Sequence, residues 1–435
     1  MKILLLLILD ILFLIVSKPF FNKKSKGNLE GLIVLFSLNF TLSISEVPTK
    51  IVGEWLTNTL SSGLIAIIAY FFVYTIKRIK IGWEILIAIP FSYSIFYQIK
   101  SGLINDIPDF IRLASTYLAV FLIFCIIKNT AEFNGQSIFY YICILSNINS
   151  ILGILQIITK KALTIGNFDG SILYTEGSVN AYRAIGIAGS NNSAGNLAAI
   201  FFPILLYCYI KNQSRSNLCT MLLNLIFVYL TLTRIAMLGI LVELVIFYFG
   251  YRTNSYKQTL IKLASGFVGV ASVSGILVVY SSKIINKLFV ERGSTQDSRF
   301  VQYALAWSNG VSQHLLDGIG LGQWRYYIYV ASKWTIVDLQ IHSQYYSVLV
   351  EQGLFIFIIF VVLNFIVLRN ILKQTIPYEL KLLAITLFIG NIIVSNFNPN
   401  EYYFLNNIIY YFIMFSLMFW QTKDNKEKDI ARGLE

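Results

Sequence analysis

The stretch Asn217–Gly250, NLCTMLLNLIFVYLTLTRIAMLGILVELVIFYFG, decides the fold. It is apolar over almost its whole length, and Arg234 is its main interruption. As one helix, its 34 residues would extend over about 51 Å, far more than a bilayer core of about 30 Å. One helix would also place Arg234 near the bilayer centre, at a cost of roughly 2.5–3.5 kcal/mol. A hairpin of two membrane-spanning helices, turning at Thr231–Arg234, avoids both difficulties.

The composition of the whole chain excludes a soluble protein. Of its 435 residues, 56% are hydrophobic and 13% are charged, whereas a soluble domain has roughly 25% charged residues. Apolar runs of about twenty residues recur, which is the length of a membrane-spanning helix and not of the roughly ten-residue alternating strands of a barrel. The sequence therefore predicts an all-α polytopic membrane protein with about 12–13 transmembrane helices. The candidate spans are approximately 3–17, 31–45, 60–76, 82–98, 109–127, 137–158, 192–210, 217–233, 234–250, 259–280, 343–368, 380–397 and 402–420.

The basic residues indicate how the chain is oriented. The formal net charge is +12, but a nucleic-acid-binding protein concentrates such charge on one soluble face. Here Lys and Arg occur in short clusters between the spans, which is the positive-inside pattern of a membrane protein. We therefore expect no nucleic-acid partner and expect localisation in the cytoplasmic, or inner, membrane. With thirteen spans and an outer N-terminus, most clusters in short segments fall on the cytoplasmic side.

This topology divides the chain into six segments. Two long loops, of 33 and 61 residues, are predicted to be extracytoplasmic and are long enough to be functional. The segments are N-terminal transmembrane helices 1–158, the first loop 159–191, central transmembrane helices 192–280, the second loop 281–341, C-terminal transmembrane helices 342–420 and a cytoplasmic tail 421–435.

Four arginines are predicted to lie at the same outer surface. A guanidinium donates paired hydrogen bonds to phosphate, and these are strongest where water is scarce. Each arginine has the alternative of anchoring the interface or pairing with a nearby carboxylate, and convergence of the four would form a site for a lipid-linked diphosphate. The four are Arg183, Arg234, Arg292 and Arg299.

Both histidines of the chain fall in or next to the second loop. A neutral imidazole can take a proton from a hydroxyl near neutral pH. His342 begins a predicted span beside Tyr345 and Tyr346, whereas His314 has apolar neighbours. The preference for His342 as the candidate base comes largely from the resemblance described next. Two histidines without a cysteine or a tight carboxylate cluster make a poor metal site. We therefore predict no metal and no cofactor.

At these residues the chain resembles the O-antigen ligase and polymerase superfamily. The resemblance covers about residues 180–365 and rests on short motifs: Gly318-x-Gly-x-Gly322, and His342-Ser-x-Tyr345 followed by Val350-Glu351-x-Gly353. Members similarly carry a Thr/Ser-Arg turn, an Arg-x-x-Gly before a span and an Arg in the large outer loop. The corresponding residues here are Thr233-Arg234, Arg183 to Gly186 and Arg299. Ser343 departs from the pattern, because Asn commonly follows the histidine.

The resemblance implies metal-independent glycosyl transfer from a polyprenyl-diphosphate-linked oligosaccharide at the outer leaflet. Arg234 and Arg299 would hold the diphosphate leaving group, Arg183 would position it, and His342 would deprotonate or orient the acceptor hydroxyl. These residues are the predicted catalytic set, except that Arg183 belongs to the substrate-binding set. That set also contains Arg292, Tyr345, Tyr346 and Glu351.

Three functions fit this sequence. A polysaccharide polymerase of O-antigen or capsule synthesis would join one lipid-linked glycan to another, and the chain's richness in Ile, Asn, Lys, Tyr and Phe is typical of such gene clusters. A ligase would transfer the finished glycan to lipid A core. A lipid-linked sugar transporter draws support from Asp10, Glu84 and Glu243, because carboxylates inside the membrane often mark transport paths. Expected partners are the lipid-linked oligosaccharide, membrane lipid, a chain-length regulator and a flippase.

Overall fold

The computed structural model describes residues 2–21, 29–40, 61–76, 85–130, 135–164, 167–176, 179–252, 257, 260, 262, 296–336, 339–398 and 402–420. Over these residues the chain is almost entirely helical. The helices are α1 Lys2–Phe21, α2 Leu29–Phe40, α3 Ser62–Tyr70, α4 Ile85–Lys100, α5 Ile107–Asn129, α6 Gly135–Thr159, α7 Asn191–Lys211, α8 Arg215–Thr231, α9 Arg234–Gly250, α10 Gln296–Leu305, α11 Trp324–Ala331, α12 Gln344–Lys373, α13 Tyr378–Ser395 and α14 Phe404–Met418. Helices α3 and α10 continue as π-helices at Phe71–Thr75 and Ala306–Val311.

The predicted all-α polytopic membrane class is confirmed. Twelve of the thirteen candidate spans coincide with a helix, and the tenth, 259–280, lies almost wholly outside the described residues. By length and composition, five helices in the described part of the chain can cross a membrane. They are Ile107–Asn129, Gly135–Thr159, Asn191–Lys211, Gln344–Lys373 and Tyr378–Ser395. Shorter apolar helices lie at Ser62–Thr75 and Phe404–Met418.

The hairpin predicted at 231–234 is present. Helix α8 ends at Thr231, Leu232 takes a left-handed conformation with φ 52°, and α9 begins at Arg234. A left-handed residue at the end of a helix reverses the chain and allows the last carbonyl groups to find donors. The turn therefore places Arg234 at one end of the helix bundle.

Helix α7 lies at the centre of the bundle. It is buried on nearly every side and packs against α6, α8, α9, α13 and α14. A helix that is apolar all round lies in a protein core or spans a membrane. The small residues Gly195, Ala198 and Ala199 let the neighbours of α7 approach closely. Its N-cap Ser190 accepts a hydrogen bond from the Ser193 amide.

The described parts of the two long loops lie at the same end of this bundle, which we call the loop end. There the side chain of Asn398 donates to Asn196 of α7, at 3.3 Å, and Ser343 donates to Asn396, at 3.2 Å. The opposite end is closed by different contacts, including a hydrogen bond from Tyr378 to the Gly250 carbonyl, at 3.0 Å.

Neither loop is irregular throughout. The first contains an antiparallel hairpin of strands β1 Leu173–Glu176 and β2 Val179–Tyr182, in which Leu173 faces Tyr182. The second contains α10, the π-helix after it and α11. These elements place the described parts of both loops over the ends of the spanning helices.

Candidate active site at the loop end

The side chain of Arg183 is buried and hydrogen-bonded to other parts of the protein. Arg183 directly follows strand β2, and its side chain is only 1% exposed. Its Nε donates to the Thr231 carbonyl at 2.8 Å, and its Nη2 donates to Asn192 and Thr233 at 3.3 Å each. The guanidinium also lies 4.7 Å from the ring centroid of Tyr174. Arg183 therefore ties the first loop to the turn between α8 and α9.

That turn presents Arg234. Thr233 Oγ1 donates to the Asn191 carbonyl at 3.0 Å, and a Cβ on Gly195 would lie 2.5 Å from Thr233 Cβ. Because the turn is fixed from both sides, the first residue of α9 is fixed as well. Arg234 is half-buried at this position.

Helix α10 places Arg299 and the His342 backbone near each other. The Arg299 guanidinium lies 5.8 Å from the ring centroid of Phe397. One turn later, the Tyr303 hydroxyl donates to the His342 carbonyl at 3.1 Å, while the Tyr346 hydroxyl donates to the Tyr303 carbonyl at 3.2 Å. Burial raises the pKa of Tyr303, and the nearby Arg299 charge opposes that rise. Helix α10 thus connects the predicted cation to the predicted base.

The surroundings of His342 hold it at the start of α12. Ser343 is the N-cap of this helix and accepts a hydrogen bond from the Tyr346 amide at 3.3 Å. The His342 side chain is half-buried. His314 lies in a different setting, 4.0 Å from the Asp317 carboxylate and packed edge-on against Tyr327.

The two tyrosines after His342 point to different places. Tyr346 packs edge-on against Tyr303, at 5.5 Å between ring centroids, and so belongs to the same cluster as His342. Tyr345 packs against Phe360 further along α12, at 5.8 Å. The structure therefore brings Tyr346, but not Tyr345, to the aromatic contact with α10.

Glu351 holds the glycine-rich turn. It is 1% exposed, and its carboxylate accepts hydrogen bonds from the Gly322 amide at 2.9 Å, the Trp324 amide at 3.3 Å and the Tyr402 hydroxyl at 2.6 Å. These three donors occupy three of the roughly four acceptor sites of a carboxylate. This geometry gives Glu351 a positioning role, whereas its direct contact with substrate stays a prediction.

The turn Gly318–Gly322 packs backbone against backbone on α12. Gly318 and Gly353 have φ of 68° and 77°, a region in which a side chain is strained. A Cβ on Gly318 would clash with the Glu351 carbonyl, and one on Gly353 would clash with the Leu316 carbonyl. Gly353 also breaks α12, so glycine is required on both sides of this contact.

Sequence reasoning missed a second group of charged residues at the loop end. The Asp109 carboxylate, near the start of α5, pairs with Arg112 of the same helix and with Arg325 of α11, the latter at 3.4 Å. The Arg112 guanidinium lies 5.1 Å from the ring centroid of Tyr402. The spacing Asp106-x-x-Asp109-x-x-Arg112 at a helix start was visible in the sequence, whereas the partner Arg325 is 216 residues away.

Arg292 falls outside the described residues, so its placement stays a prediction. Among the described residues, no group of three or more His, Cys, Asp or Glu side chains could hold a metal ion.

A comparison with protein-family models finds a match over part of the chain. Residues 219–361 match the O-antigen ligase family. The matched region runs from α8 through the break in α12, and contains Arg234, Arg299, His342 and Glu351. The resemblance to the O-antigen ligase and polymerase superfamily is thereby confirmed over these residues. A search of curated proteins finds no match.

Proposed function

We propose that this protein is a polysaccharide polymerase that joins polyprenyl-diphosphate-linked oligosaccharides at the outer face of the cytoplasmic membrane. The observation that carries the proposal is a set of neighbouring contacts at the loop end. The turn before Arg234 packs on Gly195, and the adjacent Asn196 binds Asn398. Arg299 lies over the neighbouring Phe397, and one turn later on the same helix Tyr303 binds the His342 carbonyl. Cations fixed where a phosphate departs stabilise the charge that develops on it.

The proposed reaction is one substitution at the anomeric carbon of the donor sugar. The acceptor hydroxyl oxygen forms the new glycosidic bond, and the bond from the anomeric carbon to the diphosphate breaks, with its electron pair on the phosphate oxygen. The acceptor proton passes to the His342 side chain and then to water. Arg234 and Arg299 hold the diphosphate, while Arg183 positions the turn that carries Arg234.

A ligase remains the second candidate, because the matched family is described as an O-antigen ligase. The two functions differ in the acceptor. A polymerase transfers the glycan to another lipid-linked oligosaccharide, whereas a ligase transfers it to lipid A core.

One assay with purified protein separates these functions. Given lipid-linked oligosaccharide and EDTA, a polymerase lengthens the glycan without a second acceptor, and we expect a ladder of products. Product that forms only when lipid A core is added would replace the polymerase proposal with the ligase. Absence of product from folded protein with both acceptors would contradict glycosyl transfer. Loss of product in EDTA, restored by Mg²⁺, would contradict metal independence.

The proposal includes an orientation in the membrane. Loops 159–191 and 281–341 face outward, and segments 18–30, 77–81 and 421–435 face the cytoplasm. Cysteines introduced at positions 285 and 425 should then react differently with a membrane-impermeant reagent in intact spheroplasts: strongly at 285 and weakly at 425. Equal labelling would overturn the thirteen-span topology. The proposed partners, a chain-length regulator and a flippase, would meet the protein in the same membrane.

A further inference from the structure

Helix α12 is longer than a membrane core requires. Its 30 residues would extend over about 45 Å, whereas a bilayer core is about 30 Å thick. The helix breaks at Gly353, and the part from Gly353 to Lys373 by itself extends over about 30 Å. The part before the break carries buried polar side chains, among them Gln344, Ser347 and Glu351. Gly353 therefore lies near the level at which α12 enters the membrane at the loop end.

The second loop replaces hydrogen bonds that α12 loses at this break. In an unbroken helix, the Leu354 amide would donate to the Val350 carbonyl, four residues earlier. Here the Leu354 amide donates to the Leu315 carbonyl at 2.7 Å, and the Val350 carbonyl accepts a hydrogen bond from the Ile319 amide at 3.1 Å. Non-helical backbone near the membrane needs partners of this kind within the protein. This part of the second loop is therefore fixed at the level of the break.

The loop side chains at this level are apolar and exposed. Leu315 is 44% exposed and Leu316 is 72% exposed. Just after the break, α12 begins a stripe of exposed apolar side chains, whose spacing by three or four positions places them on one helix face. The stripe consists of Phe355, Ile358, Val362 and Phe365. On a membrane-spanning helix, such a stripe is the surface that faces lipid.

The backbone places Leu316 at the end of this stripe. Its carbonyl lies against Gly353, where a Cβ would clash with it, and Gly353 precedes Phe355 by two residues. Contiguous exposed apolar surface marks a site of contact with a membrane or with another protein. Because the exposed leucines continue the lipid-facing stripe of α12, the membrane is the partner that fits them.

We propose that Leu315 and Leu316 insert into the membrane leaflet at the loop end, where lipid acyl chains cover them. Removal of these side chains from water favours the insertion. Asp317 limits its depth, because its side chain is half-exposed and a carboxylate within the hydrocarbon is costly. The segment therefore lies at the boundary between headgroups and acyl chains, as interfacial segments do. This contact holds the Gly318–Gly322 turn, which Glu351 binds, at a fixed height relative to the membrane.

Photolabelling by lipid tests this contact on the unaltered protein. The protein would be reconstituted into vesicles of phosphatidylcholine that carries a diazirine on its acyl chain, irradiated, digested and analysed by mass spectrometry. We expect adducts on Leu315 and Leu316 as well as on Phe355, and several-fold fewer on Ser312, which is exposed on the same loop but polar. Adducts on Phe355 with none on the two leucines would overturn the proposal.

A double variant tests whether the leucine side chains themselves hold the segment in lipid. Leu315→Gln/Leu316→Gln should lose most of the adducts on this segment and keep those on Phe355, because the docking on α12 uses only loop backbone. The Phe355 adducts thereby show that the variant is folded and inserted. Phe300→Gln/Val301→Gln is the matched control, since it alters another exposed apolar pair of the same loop, and it should leave the adducts on Leu315 and Leu316 unchanged. Undiminished adducts on the segment in the leucine variant would contradict the insertion.

Two further measurements distinguish lipid from the other possible surroundings of these leucines. A water-soluble diazirine should label Leu316 several-fold less than Ser312, and equal labelling would show that Leu316 faces water and would overturn the proposal. Native mass spectrometry of the protein in nanodiscs should give the same number of copies for the unaltered protein and for Leu315→Gln/Leu316→Gln. A dimer that is lost in this variant, with no lipid adducts on the leucines, would show a contact between two copies instead. None of these measurements depends on glycan elongation, so failure of this proposal and failure of the polymerase function are distinguishable.

Discussion

The two loops at the loop end hold their arginines in opposite ways. In the first loop, the Arg183 guanidinium is buried and donates to a backbone carbonyl and two side-chain oxygens of the protein. In the second loop, Arg299 is half-buried on a helix, over the face of an aromatic ring. A buried cation with protein acceptors is part of the framework, whereas a partly exposed cation over a ring remains accessible to a ligand. The comparison separates a cation that shapes the site from one that we expect to bind substrate.

The largest expected effect is at the binding cations. Arg299→Ala and Arg234→Ala should each abolish chain formation, because loss of a phosphate-binding cation from a partly desolvated site costs about 2–3 kcal/mol or more. Arg299→Lys should restore little, since a point charge does not reproduce the planar fork. Polysaccharide ladders from cells with normal protein abundance provide the measurement. Unchanged ladders for Arg299→Ala would show that Arg299 does not bind the diphosphate. The proposed difference between Arg183 and Arg299 would then be wrong.

The next effect concerns the base. His342→Ala should lower the rate roughly 10²–10⁴-fold, the scale of general acid–base catalysis, while lipid-linked donor accumulates. His314→Ala is the matched control and should have little effect, because His314 packs against Tyr327 and next to Asp317. Full activity of His342→Ala would leave the proposed enzymatic function standing but would show that His342 is not the base.

The membrane-spanning helices were predictable because each one is a continuous apolar run of limited length. Spans such as 234–250 were predicted to within a residue or two, because the length of an apolar run in a bilayer is fixed by bilayer thickness. The break of α12 at Gly353 was not predicted. It depends on the contact with Gly318, 35 residues earlier in the chain, and an apolar run carries no information about such a packing partner.

The sequence predicted several residues of the candidate site, but it predicted their individual roles less well. Arg299 and His342 were selected as polar residues in an apolar chain, and α10 places both at the loop end. The position of Glu351 in the His342 motif indicated contact with substrate, yet its three hydrogen-bond donors come from the protein. Arg112 and Arg325 were missed because their proximity depends on packing between α5 and α11. The role of each of these residues depends on contacts between parts of the chain that are far apart in sequence. The spacing of residues in one sequence does not reveal such contacts.

A smaller effect on activity, and a clear one on stability, is expected at Arg183. Arg183→Ala leaves the Thr231 carbonyl without its 2.8 Å donor in a buried position, at a cost of about 1–3 kcal/mol. We therefore expect a lower thermal midpoint in detergent, with substantial activity in the protein that remains folded. Lys161→Ala is the matched control in the same loop, since its ion pair with Asp169 is exposed and should contribute little. Normal stability with lost catalysis would place Arg183 among the substrate-binding cations instead.

The smallest expected effect is at Glu351, where charge and shape can be separated. Glu351→Gln keeps the volume of the side chain but replaces one acceptor oxygen with an NH₂ donor. That donor would face either the Gly322 amide or the pair formed by the Trp324 amide and the Tyr402 hydroxyl. A donor facing a donor in a buried site costs about 1–3 kcal/mol, but a small shift of the turn can relieve part of it. We expect a modest loss of thermal stability and a rate reduced much less than in His342→Ala. Substitution by Asp should behave similarly, because it keeps the charge but shortens the reach to the turn. If Glu351→Gln instead abolished activity at unchanged stability, Glu351 would act on the substrate directly, and the turn that it holds would be part of the reacting site.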